Sequence, residues 1–175
     1  MIKFFVEPGY DVKYPERDFG NAGIDMFIPN KSDAFVEAFN ARNAEQSSYL
    51  ESTEDGDFVV IPSLGRVNIP SGIRSSFAAN IALEAQNKSG VATKLGLVCG
   101  AQLVDASYKG IIHISLINVS DKTVKLPLGM KATQFVPCYV DTSDIKVCDG
   151  ITMDEFYSDF EFTNRGEGAF GSTGV

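Results

Sequence analysis

From its first residues to Tyr139 this chain is a succession of short, strand-length apolar runs separated by turn residues, and that pattern leaves little room for a helical core. The runs are Ile2 to Val6, Ile24 to Ile28, Phe58 to Ile61, Gly65 to Ile69, Ile81 to Ala85, Leu97 to Gly100, Ile111 to Ile117, Thr123 to Leu126 and Lys131 to Tyr139. In the stretch 111–117, Ile112, Ile114 and Leu116 alternate with His113 and Ser115, the period-two signature of a sheet with one buried face. Many short strands and few helices predict an all-β sandwich, jelly roll or barrel. With 175 residues, 44% of them hydrophobic, the chain can bury one full core but would be cramped as two domains. A single β domain is expected over 1–150, followed by an arm over 151–175.

One segment breaks the β pattern. Phe35, Val36 and Phe39 recur at helical spacing behind Ser32, a residue suited to an N-cap, so an inserted helix is expected near 32–46. The polar run Ser47 to Asp57 reads as an exposed return loop, which completes an insertion over 31–57. The phenylalanines of the insert are expected to pack on the sheet, with a protein partner as the competing use. A short second helix is expected over Thr152 to Phe160, with Met153, Phe156 and Phe160 on one face. Cys99, Cys138 and Cys148 form no CxxC pair, so they read as buried reduced thiols and not as a disulfide framework or zinc site.

A formal charge of −8 argues against a broad nucleic-acid surface, because such binding needs many phosphates neutralised. Any phosphate ligand must then meet local cations. No run reaches the apolar length of a membrane span and the first residues lack a signal-peptide layout, so a cytoplasmic protein with no membrane partner is expected.

Five segments share a character of small residues flanking one or two polar groups. The last, Arg165-Gly166-Glu167-Gly168-Ala169-Phe170-Gly171-Ser172-Thr173-Gly174, combines a planar guanidinium, close-approach glycines, two hydroxyls and one aromatic face. Such a tail suits a flexible flap over a nucleotide. In Ala22-Gly23-Ile24-Asp25-Met26 a carboxylate opens an apolar strand, where taken alone it fits a turn or cap. Asn87-Lys88-Ser89-Gly90-Val91-Ala92 places a cation, a hydroxyl and a glycine in a row. Gly100 to Gly110 reads as a hairpin that holds Asp105, able to deprotonate a water, beside the ring of Tyr108. In Gly129 to Pro137, Gln134 sits inside an apolar strand, and its amide needs either backbone partners or a wet site. His113, the sole histidine, lies in an alternating strand and reads as structural rather than as a general base.

In this order the segments AGIDM, NKSGVA, GAQLVDASYKG, GMKATQFVP and RGEGAFGSTG resemble the five motifs of the trimeric dUTPase family. The resemblance covers nearly the whole chain outside residues 31 to 57. It implies a jelly-roll-like fold, a homotrimer with active sites shared between chains, and Mg²⁺-dependent hydrolysis of dUTP to dUMP and pyrophosphate, which keeps uracil out of DNA and supplies dUMP for dTMP synthesis. By the same resemblance Asp105 activates the water that attacks the α-phosphate, and Tyr108 packs on the deoxyribose and excludes a 2′-hydroxyl. Backbone around Gln102, Leu103 and the opposing strand near His113 reads uracil. Lys88, Ser89 and Gly90 contact the phosphates, Arg165, Gly171, Ser172 and Thr173 close over the terminal phosphate, and Phe170 stacks on the base. Asp25 and Gln134, the latter also substrate-binding, reach Mg²⁺ through water, the ion being held mainly by substrate phosphates.

The chain departs from the family pattern at several places. Lys88 stands where arginine is usual, exchanging a bidentate clamp for a point charge. Ala106 and Ser107 follow the aspartate where an acidic or polar pair is common, and Gln102 and Ala169 occupy frequent glycine positions. A dCTP deaminase-like enzyme of the same fold and a catalytically silent nucleotide-binding or protein-interaction module are the competing functions. Asp105 followed by Ser107 and Tyr108 fits the deaminase poorly, and retention of Asp105, Tyr108 and Arg165 speaks against the silent module.

Overall fold

Strands rich in β-branched and aromatic residues build most of the described chain, and glycines with positive φ turn it between them. The computed structural model describes residues 1–143 and 145–158. In chain order the elements are β1 (Lys3–Val6), β2 (Ile24–Phe27), α1 (Asp33–Arg42), β3 (Tyr49–Thr53), β4 (Gly56–Ile61), β5 (Arg66–Pro70), β6 (Ile73–Ser76), β7 (Ile81–Asn87), α2 (Ser89–Leu95), β8 (Leu97–Cys99), β9 (Leu103–Val104), β10 (His113–Asn118), β11 (Val124–Pro127), β12 (Lys131–Tyr139) and α3 (Met153–Phe156). The strands form four antiparallel sheets, ordered β1-β6, β5-β10-β8, β11-β4-β3 and β2-β12-β7-β9. The mostly β architecture expected from the sequence is the one observed.

Two contiguous units divide the chain, Met1–Thr142 and one that begins at Ser143. In the first, Met26, Ile28, Val59, Ile61, Ile69, Leu83, Ile114, Leu116 and Phe135 meet in one apolar core. The alternation expected in β10 is present, with Ile114 and Leu116 buried between half-buried His113 and Ser115. Asn118 ends the strand as a buried polar residue. Its Nδ2 donates to the carbonyls of Ile61, Pro62 and Lys122, so one amide fastens the ends of β4 and β10 together.

α1 forms within the expected insertion. Ser32 caps it, its Oγ accepting from the Phe35 amide at 3.3 Å, with Asp33 in the first turn and Arg42 in the last, each at the favourable dipole end. Phe35 and Phe39 are fully buried, their ring centroids 5.8 Å apart, and Tyr10 meets Phe35 edge-on. Asn43, at the end of the helix, donates to Phe39 and Asn68 carbonyls and accepts from the Asn68 amide, locking α1 to β5. The phenylalanines are therefore core residues.

The run Ser47 to Asp57 is not a return loop. Tyr49–Thr53 is β3, paired residue by residue with β4, and Glu51 ion-pairs with Lys125 of β11. Cross-strand partners supply what the weakly apolar sequence lacks. β6, β9 and α2 were also absent from the sequence reading. Cys99 and Cys138 are half-buried free thiols, but Cys148 is exposed. In the second unit Thr152 makes a capping box with Glu155 at the start of α3, which is shorter than expected; Phe160 lies outside the described residues. Among the described residues no helix is long and apolar enough to cross a membrane.

Phe35→Ala should lower unfolding free energy by about 3–5 kcal/mol, the usual cost of emptying a fully buried aromatic site. Urea denaturation followed by far-UV circular dichroism measures it, and a loss under about 1 kcal/mol would mean that α1 is not part of the core.

Candidate active site

β12 lies between β2 and β7, and its register decides which polar groups meet. Gln134 is opposite both Asp25 on β2 and Gln86 on β7. Lys88 follows the last residue of β7 and serves as the extended residue ahead of α2, so its side chain returns toward β2. The result is a row of charges. Lys88 Nζ lies 2.5 Å from Asp25 Oδ1, Lys131 Nζ lies 2.9 Å from Asp25 Oδ2, and Glu16 Oε1 lies 2.6 Å from Lys131 Nζ. Asp25 thus belongs to a strand interior and an ion-pair network, which corrects the turn or cap reading.

The Asp25 side chain is only 18% exposed. Burial by itself would raise its pKa, but hydrogen bonds from Lys88 and Lys131 and their charges outweigh that effect and hold the carboxyl below its ordinary value. Lys131 is shifted upward in turn, first by its bond to Glu16 and then by Asp25.

Beside this network lies a cavity of about 390 Å³ lined by Lys88, Ser89, Gly90, Val91, Lys94, Leu95, Met130 and Gln134. The Gln134 amide does both things a semi-buried amide can do: its Nε2 donates to the Asn87 carbonyl at 3.1 Å, and the side chain faces the cavity. Gly23 permits this placement, since a Cβ there would stand 2.2 Å from Gln134 Oε1. The second and fourth sequence segments, and Asp25 of the first, are therefore brought together. Glu16 joins them through Lys131 of the fourth segment, a contact across strands, and Lys94 through its place in the last turn of α2 beside the cavity.

The third segment sits elsewhere. β8 and β10 form the arms of a wide hairpin, with Cys99 opposite Leu116 and the Gly100 amide donating to the Ser115 carbonyl at 2.9 Å. At its tip, β9 pairs outward with β7, Val104 opposite Leu83 and Leu103 opposite Glu84, while the Gln102 carbonyl accepts from the Ala85 amide. The strand that carries His113 pairs with β5 and, from Leu116 to Asn118, with β8.

Asp105 is exposed and heads a turn closed by the Tyr108 amide donating to its carbonyl at 3.0 Å. Tyr108 Oη donates to the Ile111 carbonyl at 2.9 Å, and Gly110 leaves space for that hydroxyl. Arg74 anchors the tip by donating to the Lys109 carbonyl at 2.6 Å and to Glu7 at 2.5 Å. Asp105 follows Val104, whose partner Leu83 lies five residues before Lys88. Asp105 itself falls level with Ala82, six residues from Lys88, so at the usual strand rise the two are separated by roughly 20 Å along β7. β9 also flanks β7 on the side away from β12. One chain therefore holds the carboxylate and the cation-lined cavity at opposite ends of one strand.

His113 is half-buried, and desolvation, aided by nearby Arg42 and opposed by a backbone bond at Ile111, pushes its pKa down. Arg165, Phe170, Gly171, Ser172 and Thr173 lie outside the described residues.

No group of three or more His, Cys, Asp or Glu residues near enough to cage a cation occurs among the described residues. Asp25 already holds two ammonium groups, and the Gln134 amide stands opposite it. A carboxylate and an amide so placed fit a hydrated magnesium ion carried by a polyphosphate, approached through its waters.

Fold and site together define a class: a small antiparallel-sheet protein with a cation-lined pocket at one strand end and a carboxylate-bearing loop at the other. The family model described as dUTPase matches residues 54–174. The deoxyuridine 5′-triphosphate nucleotidohydrolase of Candida albicans is 30% identical over 153 residues, spanning 84% of this chain and 80% of that protein. The same enzyme of Debaryomyces hansenii is 31% identical, over 80% and 85%. The chain belongs to the dUTPase family, the dUTP diphosphatases. Solved structures agree in fold. A point mutant of the Staphylococcus bacteriophage 80alpha dUTPase with dUpNHpp aligns with a TM-score of 0.72 at 18% identity, covering 100% of this chain and 99% of that one. A phage phi11 dUTPase mutant, whose structure is described for its coordination of a structural Mg(II) ion, gives 0.64 at 17% identity over 86% and 98%.

Because folding depresses the Asp25 pKa, its ion pairs stabilise the protein above the ordinary carboxylate value of 3.8 and lose that contribution as pH falls through the folded value. Asp25→Asn should therefore flatten the fall in urea midpoint below that pH. An acid limb identical to wild type would contradict the network.

Proposed function

We propose that this chain hydrolyses dUTP to dUMP and pyrophosphate. Asp105 accepts a proton from a water whose oxygen attacks the α-phosphorus, and the bond from that phosphorus to the bridging oxygen breaks, so pyrophosphate leaves. Its exposure on a pinned turn keeps the carboxylate available to solvent, as a base for water must be. Tyr108, its hydroxyl tied to Ile111, offers its ring face to the deoxyribose and leaves no room for a 2′-hydroxyl. Backbone groups of the hairpin tip around Gln102 and Leu103, together with the strand near His113, read the uracil edge.

Lys88, Ser89 and Gly90 bind the phosphates from the cavity, with Gln134 beside them. Arg165, Gly171, Ser172 and Thr173 of a C-terminal arm over 151–175 close over the terminal phosphate, and Phe170 covers the base; the β domain is taken as 1–150. Asp25 and Gln134 would reach, through water, a magnesium ion held mainly by substrate phosphates, which would supply charge neutralisation and orientation to the triphosphate.

The observation that carries this reading is the separation of Asp105 from the Lys88 cavity along β7. A base and a phosphate-binding pocket so far apart in one chain serve one substrate only if copies associate. A homotrimer with shared sites meets that need. The reaction would keep uracil out of DNA and supply dUMP for dTMP synthesis, in a cytoplasmic setting. A protein partner for the 31–57 insertion would have to use its outer face, since Phe35 and Phe39 are buried.

Pyrophosphate release measured on dUTP, UTP, dCTP and dTTP, with and without magnesium, should show turnover of dUTP alone and its loss with EDTA. Ammonia released from dCTP would overturn the reading. Asp105→Asn should bind dUTP with near wild-type affinity and lower kcat by about 10²–10⁴-fold, the usual worth of a positioned base. A kcat within about threefold of wild type, judged on the same scale, would remove Asp105 from the mechanism.

A further inference from the structure

Resting on that reading, we propose that Lys131 is a positioning residue: it supplies the countercharge that allows Lys88 to leave Asp25 for a substrate phosphate. Lys88 Nζ is bound to Asp25 Oδ1 at 2.5 Å, so a phosphate oxygen can gain this ammonium only as the carboxylate gives it up. With its side chain 18% exposed, Asp25 cannot replace a lost cation fully with water, and an uncompensated carboxylate there is costly.

Lys131 resolves the conflict. Its ammonium stays on Asp25 Oδ2 at 2.9 Å when Lys88 turns away, so the carboxylate keeps a partner throughout. Glu16, 2.6 Å from the same ammonium, balances it, so Asp25, Lys88, Lys131 and Glu16 carry no net charge together. The Lys131 ammonium also lies 5.5 Å from the centre of the Phe27 ring, and it is not among the residues lining the cavity. It therefore acts through Asp25 and not by touching phosphate. Without it, Lys88 would be the sole cation on Asp25 and would be held there against the substrate.

The test compares Lys131→Gln, Lys131→Arg, Asp25→Asn and the Lys131→Gln/Asp25→Asn pair in the full chain, by pyrophosphate release from dUTP. Lys131→Gln should raise KM by about tenfold with kcat changed less than about threefold, and Lys131→Arg should stay near wild type in both. In the Asp25→Asn background, Lys131→Gln should add less than about twofold in KM, since the charge it compensates is gone. Lys131→Met, which keeps the stem over Phe27, serves if the glutamine variant does not fold. An unchanged KM in Lys131→Gln, or the same rise in the Asp25→Asn background, overturns the proposal. A wild-type chain that releases no pyrophosphate from dUTP overturns it together with the reading beneath it, whereas an active wild type with a KM indifferent to Lys131 overturns it alone.

Discussion

The antiparallel pairing of β12 with β2 on one side and β7 on the other fixes where the charged groups around the cavity can be. Because Gln134 is in register with both Asp25 and Gln86, the carboxylate of β2 and the start of α2 face each other across one strand. A shift of one residue in β12 would turn Gln134 to the opposite face and bury its amide in the core among Ala132 and Phe135. The register of β12 therefore guards the chemistry as well as the fold. The same β7 that receives β12 carries β9 on its other edge, and so carries the Asp105 turn as well.

Electrostatics follow from that frame. The chain is acidic overall, yet Lys88 and Lys94 line one cavity, and Lys131 backs it through Asp25. A triphosphate would be drawn to this pocket in spite of the net charge, because close contacts in a partly desolvated site outweigh screened charges farther away. Lysine in place of arginine at position 88 suits such an arrangement. A flexible ammonium can pass from a carboxylate to a phosphate more readily than a planar fork held bidentately.

Much of the fold was legible in the residues, and the failures have physical causes. β10 announced itself by alternation, and α1 by its phenylalanine spacing behind Ser32, because those patterns are local. β3 was hidden: Glu51, Ser52 and Thr53 give little apolar signal, and the strand exists through its pairing with β4 and the Glu51–Lys125 ion pair. α2 was missed since seven residues containing Gly90 carry too little helical pattern, and it is held by Val91 in the core and by Gly96 at its left-handed end. Motif order pointed to Asp25, Lys88 and Gln134 as site residues, but nothing near Lys131 in the sequence told of Glu16 and Asp25. That contact spans more than a hundred residues, and only the sheet register creates it.

On the proposed reading, the base and the phosphate pocket that act on one substrate come from different copies of the chain. Subunit exchange tests it most directly: equal amounts of Asp105→Asn and Lys88→Ala proteins, each nearly inactive, are unfolded, mixed and refolded together, and pyrophosphate release from dUTP is measured. Sites that unite an intact Asp105 from one copy with an intact Lys88 from another should restore about a quarter of wild-type activity, as random association gives. Mixed assemblies that form but remain as inactive as their parents would contradict the account.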